Sequence, residues 1–153
     1  MSTETKIIGG IALATIVILV GGVTLLSLQQ SKETSVPEEQ VVSRNGLHWH
    51  PKVTITIKGK KQEIPANLGI SGIHQPVHTH DSSGTLHLEV SGLVTKDETK
   101  LGRFFQIWGK KFSSECLVDE CGGKVTMLVN GKGNKDFENY LMKDKDNIEI
   151  RYE

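Results

Sequence analysis

Six histidines lie between positions 48 and 87, and five of them form two His-x-His pairs, His48/His50 and His78/His80, followed by His87. Neutral imidazole is the commonest side-chain ligand for copper, zinc, nickel and iron, and it is also the group that changes charge most readily near neutral pH. On an extended chain, residues i and i+2 point to one face about 7 Å apart, so each pair can lean toward a single ion. His48, His50 and His87 occupy polar positions of an alternating pattern, whereas His74 has no such phase and stays outside the candidate set. Asp81 and Glu89 stand beside the pairs as carboxylates able to ligate an ion or orient a ring. A ligand set without free thiolate favours Cu(II) or Zn(II). The expectation is therefore one copper or zinc ion per chain, held by His48, His50, His78, His80 and His87. Two competing uses exist for such residues. Histidines in a crowded loop can spend their nitrogens on backbone hydrogen bonds, and unliganded clustered imidazoles charge together and repel at about pH 6, as a proton sensor would.

Other chemistries are set aside by spacing. A blue-copper centre needs a thiolate with a nearby His, and no His follows Cys116 or Cys121. There is no His-Glu-x-x-His, and His78-Thr79-His80-Asp81 lacks the longer His-x-His-x-Asp-His spacing, so a metallo-hydrolase is a distant third reading. Gly69-Ile70-Ser71-Gly72 is one residue short of a nucleophile elbow, and Gly131-Lys132-Gly133 reads as a hairpin turn rather than a phosphate cradle. No catalytic residue and no organic cofactor emerges, which leans against an enzyme.

The elements that must position these rings sit in a chain of 153 residues with 18 basic and 18 acidic side chains. That length suits one ordinary domain plus a tail or anchor, and the even charge argues against a nucleic-acid partner. Residues 7–28 carry no charge. As a helix they would span about 33 Å against a hydrocarbon core of about 30 Å. The stretch is long for a signal peptide and lacks a small-x-small cleavage site, so it is expected to be a retained membrane-crossing helix. The layout that follows is a cytoplasmic tail 1–6, a transmembrane helix 7–28, a polar linker 29–44 containing Pro37, and a folded domain 45–153. Cys116 and Cys121 suggest a small disulfide ring, which persists in oxidising compartments, so the C-terminal domain is expected outside the cytoplasm of a single-pass membrane protein.

Within the domain, Leu47, Trp49, Val53, Ile55 and Ile57 alternate with His48, His50, Lys52, Thr54 and Thr56, which is strand patterning. Residues 53–64 form a hairpin around Gly59-Lys60, and Thr85 to Val90 alternate as a third strand. Thr99 is placed to cap a short helix with Leu101, Phe104, Phe105 and Trp108 on one stripe, ended by Gly109. That stripe reads as core. Val125 to Val129, a segment near Phe137 to Leu141, and Ile148 to Tyr152 supply further strands. The fold class expected is α+β, a β-rich domain with one short helix packed on a mixed sheet.

Val125 to Gly131 followed by Leu141 to Ile150 resembles the closing strands of ubiquitin-like β-grasp proteins. Lys145 stands where that pattern has Gly and no terminal Gly-Gly follows, so carrier activity is not implied. His48-Trp49-His50-Pro51, Ile64-Pro65-Ala66-Asn67, His78-Thr79-His80-Asp81, Ser83 to Glu89 and Leu101 to Gly109 resemble an uncharacterised family of prokaryotic membrane-anchored extracytoplasmic domains. That second resemblance implies a membrane anchor and no particular activity. The functional expectation is a membrane-anchored protein for copper or zinc binding or delivery. The alternative is an accessory single-span subunit of a larger membrane enzyme complex, with Gly9, Gly10, Gly21 and Gly22 allowing close helix contact.

Overall fold

The structure, a computed structural model, describes Ile18, Gly22 and residues 36–153. The chain divides into two units, Met1–Val36 and Pro37–Glu153, and the second carries the fold. Along it come β1 (Val41–Ser43), β2 (Leu47–Trp49), β3 (Lys52–Ile57), β4 (Lys60–Gln62), β5 (Val77–His78), β6 (His87–Val90) and β7 (Val94–Thr95). A one-turn helix α1 (Lys96–Thr99) and the longer α2 (Leu101–Trp108) follow. Then come β8 (Lys111–Phe112), β9 (Cys116–Val118), β10 (Glu120–Cys121), β11 (Val125–Val129), β12 (Lys132–Asn134) and β13 (Asn147–Tyr152).

Two expectations are corrected. The α+β assignment gives way to a mainly β unit, because among the described residues short strands fill four separate sheets and, of the helices traced above, only α2 exceeds one helical turn. Among the described residues no helix is long and apolar enough to cross a membrane. The eight residues of α2 reach about 12 Å, far short of the roughly 30 Å a crossing needs. The single-pass membrane location with an exterior C-terminal domain is accordingly withdrawn. The transmembrane helix assigned to 7–28 lies outside the described residues except for Ile18 and Gly22.

The largest sheet runs β12-β11-β13-β3-β4, with β13 and β3 parallel at its centre and antiparallel hairpins on both flanks. The register sets Ile148 against Val53 and Ile150 against Ile55, all buried on one face. Leu101, Phe104 and Phe105 of α2 join the same core, each no more than 1 % exposed. The helix ends where Gly109 turns left-handed at φ 70°, its N–H returning to the Phe105 and Gln106 carbonyls.

Several local details depart from the sequence pattern. Pro51 interrupts the long alternation after His50, so Leu47–Trp49 and Lys52–Ile57 enter different sheets. Val41–Ser43, inside the stretch assigned to the linker, pairs with Val94–Thr95. Thr95 rather than Thr99 starts the helical segment: its N–H donates to Glu98 Oε2 at 2.6 Å, completing a capping box. Phe137–Asn139 form a 3-10 turn rather than a strand. The Cys116–Cys121 disulfide closes across β9 and β10.

Candidate metal centre

The histidines belong to a small sheet of order β2-β6-β5, and its register explains their meeting. Strand β6 is central. His48 of β2 opposes Glu89, Trp49 opposes Leu88, and on the other side Val77 opposes Leu88 while His78 opposes His87. Because alternate residues face opposite sides of a strand, Trp49, Leu88 and Val77 point into the core, and His48, Glu89, His87 and His78 share the other face. His50 and His80 lie two residues beyond His48 and His78 and so join that face. Thr79 points the other way and is locked there, donating to the Pro65 carbonyl at 2.8 Å and accepting from Leu68 N–H at 3.1 Å. Two close approaches demand glycine. A Cβ on Gly84 would lie 2.3 Å from the Val53 carbonyl oxygen, and one on Gly69 would lie 2.8 Å from the Val77 carbonyl oxygen and 3.3 Å from His78 Cβ.

All five sequence candidates come together on this face. One nitrogen each from His48, His50 and His87 lies within 4.8 Å of the others, and the same holds for His78, His80 and His87. His87 belongs to both groups. Its ring centre is 4.8 Å from that of His50 and 4.4 Å from that of His80, and it stands edge-on to both. Three nitrogens bound to one ion at 2.0–2.1 Å sit about 3.3 Å apart, so small side-chain rotations convert either group into a ligand set. His74, which has no strand phase, also reaches the cluster, its ring centre 4.2 Å from that of His78.

The supporting contacts decide which nitrogens are free. His78 Nδ1 lies 3.2 Å from the Gln75 carbonyl oxygen. A carbonyl can only accept, so Nδ1 carries the proton and Nε2 presents a lone pair. That Nε2 is buried and has no hydrogen-bond partner, and His87 Nδ1 is in the same condition. Among the described residues these are the only buried side-chain nitrogens or oxygens left unpaired. Such an orphan costs about 1–3 kcal/mol, which a metal ligand bond would offset. Burial is the main cause holding both imidazoles below the ordinary histidine value of 6.5, and for His87 the neighbouring His80, His50 and His78 push the same way. Both are therefore set to be neutral, the form that binds metal.

On the opposite flank, His48 Nε2 lies 3.0 Å from Glu89 Oε1, leaving Nδ1 for a ligand. His50 is held through its backbone N–H, which donates to Asp144 Oδ1 at 2.9 Å, and its ring Nδ1 is 3.9 Å from the same oxygen. The sequence gives no local signal for Asp144, which is 94 residues away. Asp81 instead accepts from Ser83 N–H at 2.8 Å, and hydrogen bonding from Ser83, its hydroxyl first and its backbone N–H second, holds the carboxyl below the usual carboxylate range. No hydrogen bond joins Asp81 to an imidazole among the described residues. Two surface clefts of about 530 Å3 each flank Arg103 and Gln106, and no imidazole lines either. An ion needs no such volume.

No family model matches the chain, and neither a curated protein nor a solved structure matches it.

Proposed function

We propose that this protein binds copper or zinc through the imidazole cluster of His48, His50, His78, His80 and His87, for metal holding or delivery. One observation carries the reading: the two unpaired buried side-chain nitrogens, His78 Nε2 and His87 Nδ1, both fall within the groups that can share an ion. The large majority of buried side-chain polar atoms in folded proteins have a hydrogen-bond partner. Here the backbone orients one nitrogen of His78 and leaves the other aimed at its neighbours. An all-nitrogen donor set suits Cu(II) and Zn(II) better than magnesium or calcium, which prefer oxygen.

The test is elemental analysis of the full chain purified without added metal or chelator. Retained copper or zinc at one equivalent or more, reduced in the paired variant His78→Ala/His80→Ala with the circular dichroism unchanged, is the expected result. A metal-free chain that also fails to take up either ion on titration overturns the proposal.

A further inference from the structure

The reading above leaves open how many ions the cluster takes, and we infer that it takes two, with His87 supplying one ring nitrogen to each as a bridging imidazolate. The inference rests on the proposed metal binding and goes beyond it in naming a dinuclear centre. The five imidazoles do not form a single group: they form two groups of three that share only His87. The other four divide by strand. His48 and His50 come from the β2 side of the sheet, and His78 and His80 from the β5 side, with β6 between them. The His87 ring stands edge-on to a member of each pair at similar distance, 4.8 Å to His50 and 4.4 Å to His80. A single lone pair binds one ion, so both groups can be filled together only if the two ring nitrogens are divided between them.

Each flank is also separately prepared. On one, Glu89 engages His48 and Asp144 engages His50; on the other, the Gln75 carbonyl orients His78. Orienting contacts of this kind accompany metal-ligating imidazoles, and both flanks carry them. In binding terms, the first ion takes the lone-pair nitrogen of neutral His87. The second displaces the remaining ring proton, which leaves to solvent, and the imidazolate charge then lies between the two dications. The bridge sets the ions about 6 Å apart, given metal–nitrogen bonds of about 2.0 Å on either side of the ring.

The experiment is a titration of the full chain with Cu(II), followed by metal analysis and electron paramagnetic resonance. Wild type is expected to hold two equivalents, with a signal well below that of two isolated Cu(II) ions because the imidazolate couples their spins. His48→Ala/His50→Ala and His78→Ala/His80→Ala should each keep one equivalent with a full isolated-ion signal. One equivalent in wild type, lost in either paired variant, overturns the dinuclear centre while leaving metal binding intact. Two equivalents with the full uncoupled signal overturn the bridge. No uptake at all defeats the metal reading itself, which the elemental analysis detects independently. The wild-type stoichiometry and signal decide the matter even if a variant fails to fold.

Discussion

The five-stranded sheet and the three-stranded sheet β2-β6-β5 are built by the same alternation, yet their outer faces differ in kind. On the five-stranded sheet, Thr54 opposes Glu149, and Thr56 and Thr126 flank Arg151. Those side chains are exposed or half-buried, and Arg151 pairs with Glu149 at 3.0 Å. On the three-stranded sheet the equivalent face carries His48, Glu89, His87 and His78, with two nitrogens buried and unpaired. A solvated outer face needs only polarity, whereas an imidazole face with two buried ring nitrogens unpaired is one that could hold a metal ion.

This contrast can be broken from either side, and the largest effect belongs to the shared core. Phe105→Ala should destabilise the fold by about 3–5 kcal/mol, since a fully buried ring leaves a cavity, while the metal content of the surviving folded fraction stays unchanged. Denaturant unfolding combined with metal analysis reads both. A variant that stays stable but loses metal would show that the helix, rather than the small sheet, organises the ligands. Next comes Glu89→Gln, which keeps the volume but weakens the hold on His48 Nε2. Competition with a chelator should then report affinity lower by about 10–100-fold, and unchanged affinity would remove Glu89 from the site.

A smaller effect concerns acid in the metal-free chain. His78 and His87 are held below 6.5 in the fold, so in the window beneath that value the unfolded chain binds more protons than the folded one. Their neutral burial therefore costs no stability above 6.5 and destabilises progressively as pH falls through the window. The thermal midpoint of chelator-treated protein should drop on acidification, and less so in His87→Asn. An identical slope in that variant would assign the acid sensitivity elsewhere. Smallest of all, Arg151→Ala on the five-stranded sheet should change stability by less than about 1 kcal/mol, because its pair with Glu149 is half exposed. A loss of metal in that variant would collapse the distinction between the two faces.

Much of this was readable in the sequence because it is local. Period-two alternation placed His48 and His87 opposite the apolar residues, and the stripe from Leu101 to Trp108 with Gly109 behind it marked α2 and its stop. Thr95 and Glu98 spell a capping box that the Thr99 reading passed over. What was not readable is what only three dimensions join. His74 reaches His78 through a loop that carries no phase, and Asp144 arrives from the turn before β13. The split after Pro51, which puts β2 and β3 in different sheets, is a tertiary choice that continuous alternation conceals. The same holds for the α+β expectation: a single strong helical stripe weighs heavily in a sequence, but strands as short as two residues leave little local pattern.

The most direct measurement is X-ray absorption at the copper or zinc edge on the loaded full chain. At least three imidazole nitrogens per ion at about 2.0 Å, with the outer-shell scattering that rings produce, is the predicted spectrum. A coordination sphere of oxygen donors lacking ring scattering would place the ion away from the histidine face and contradict the account.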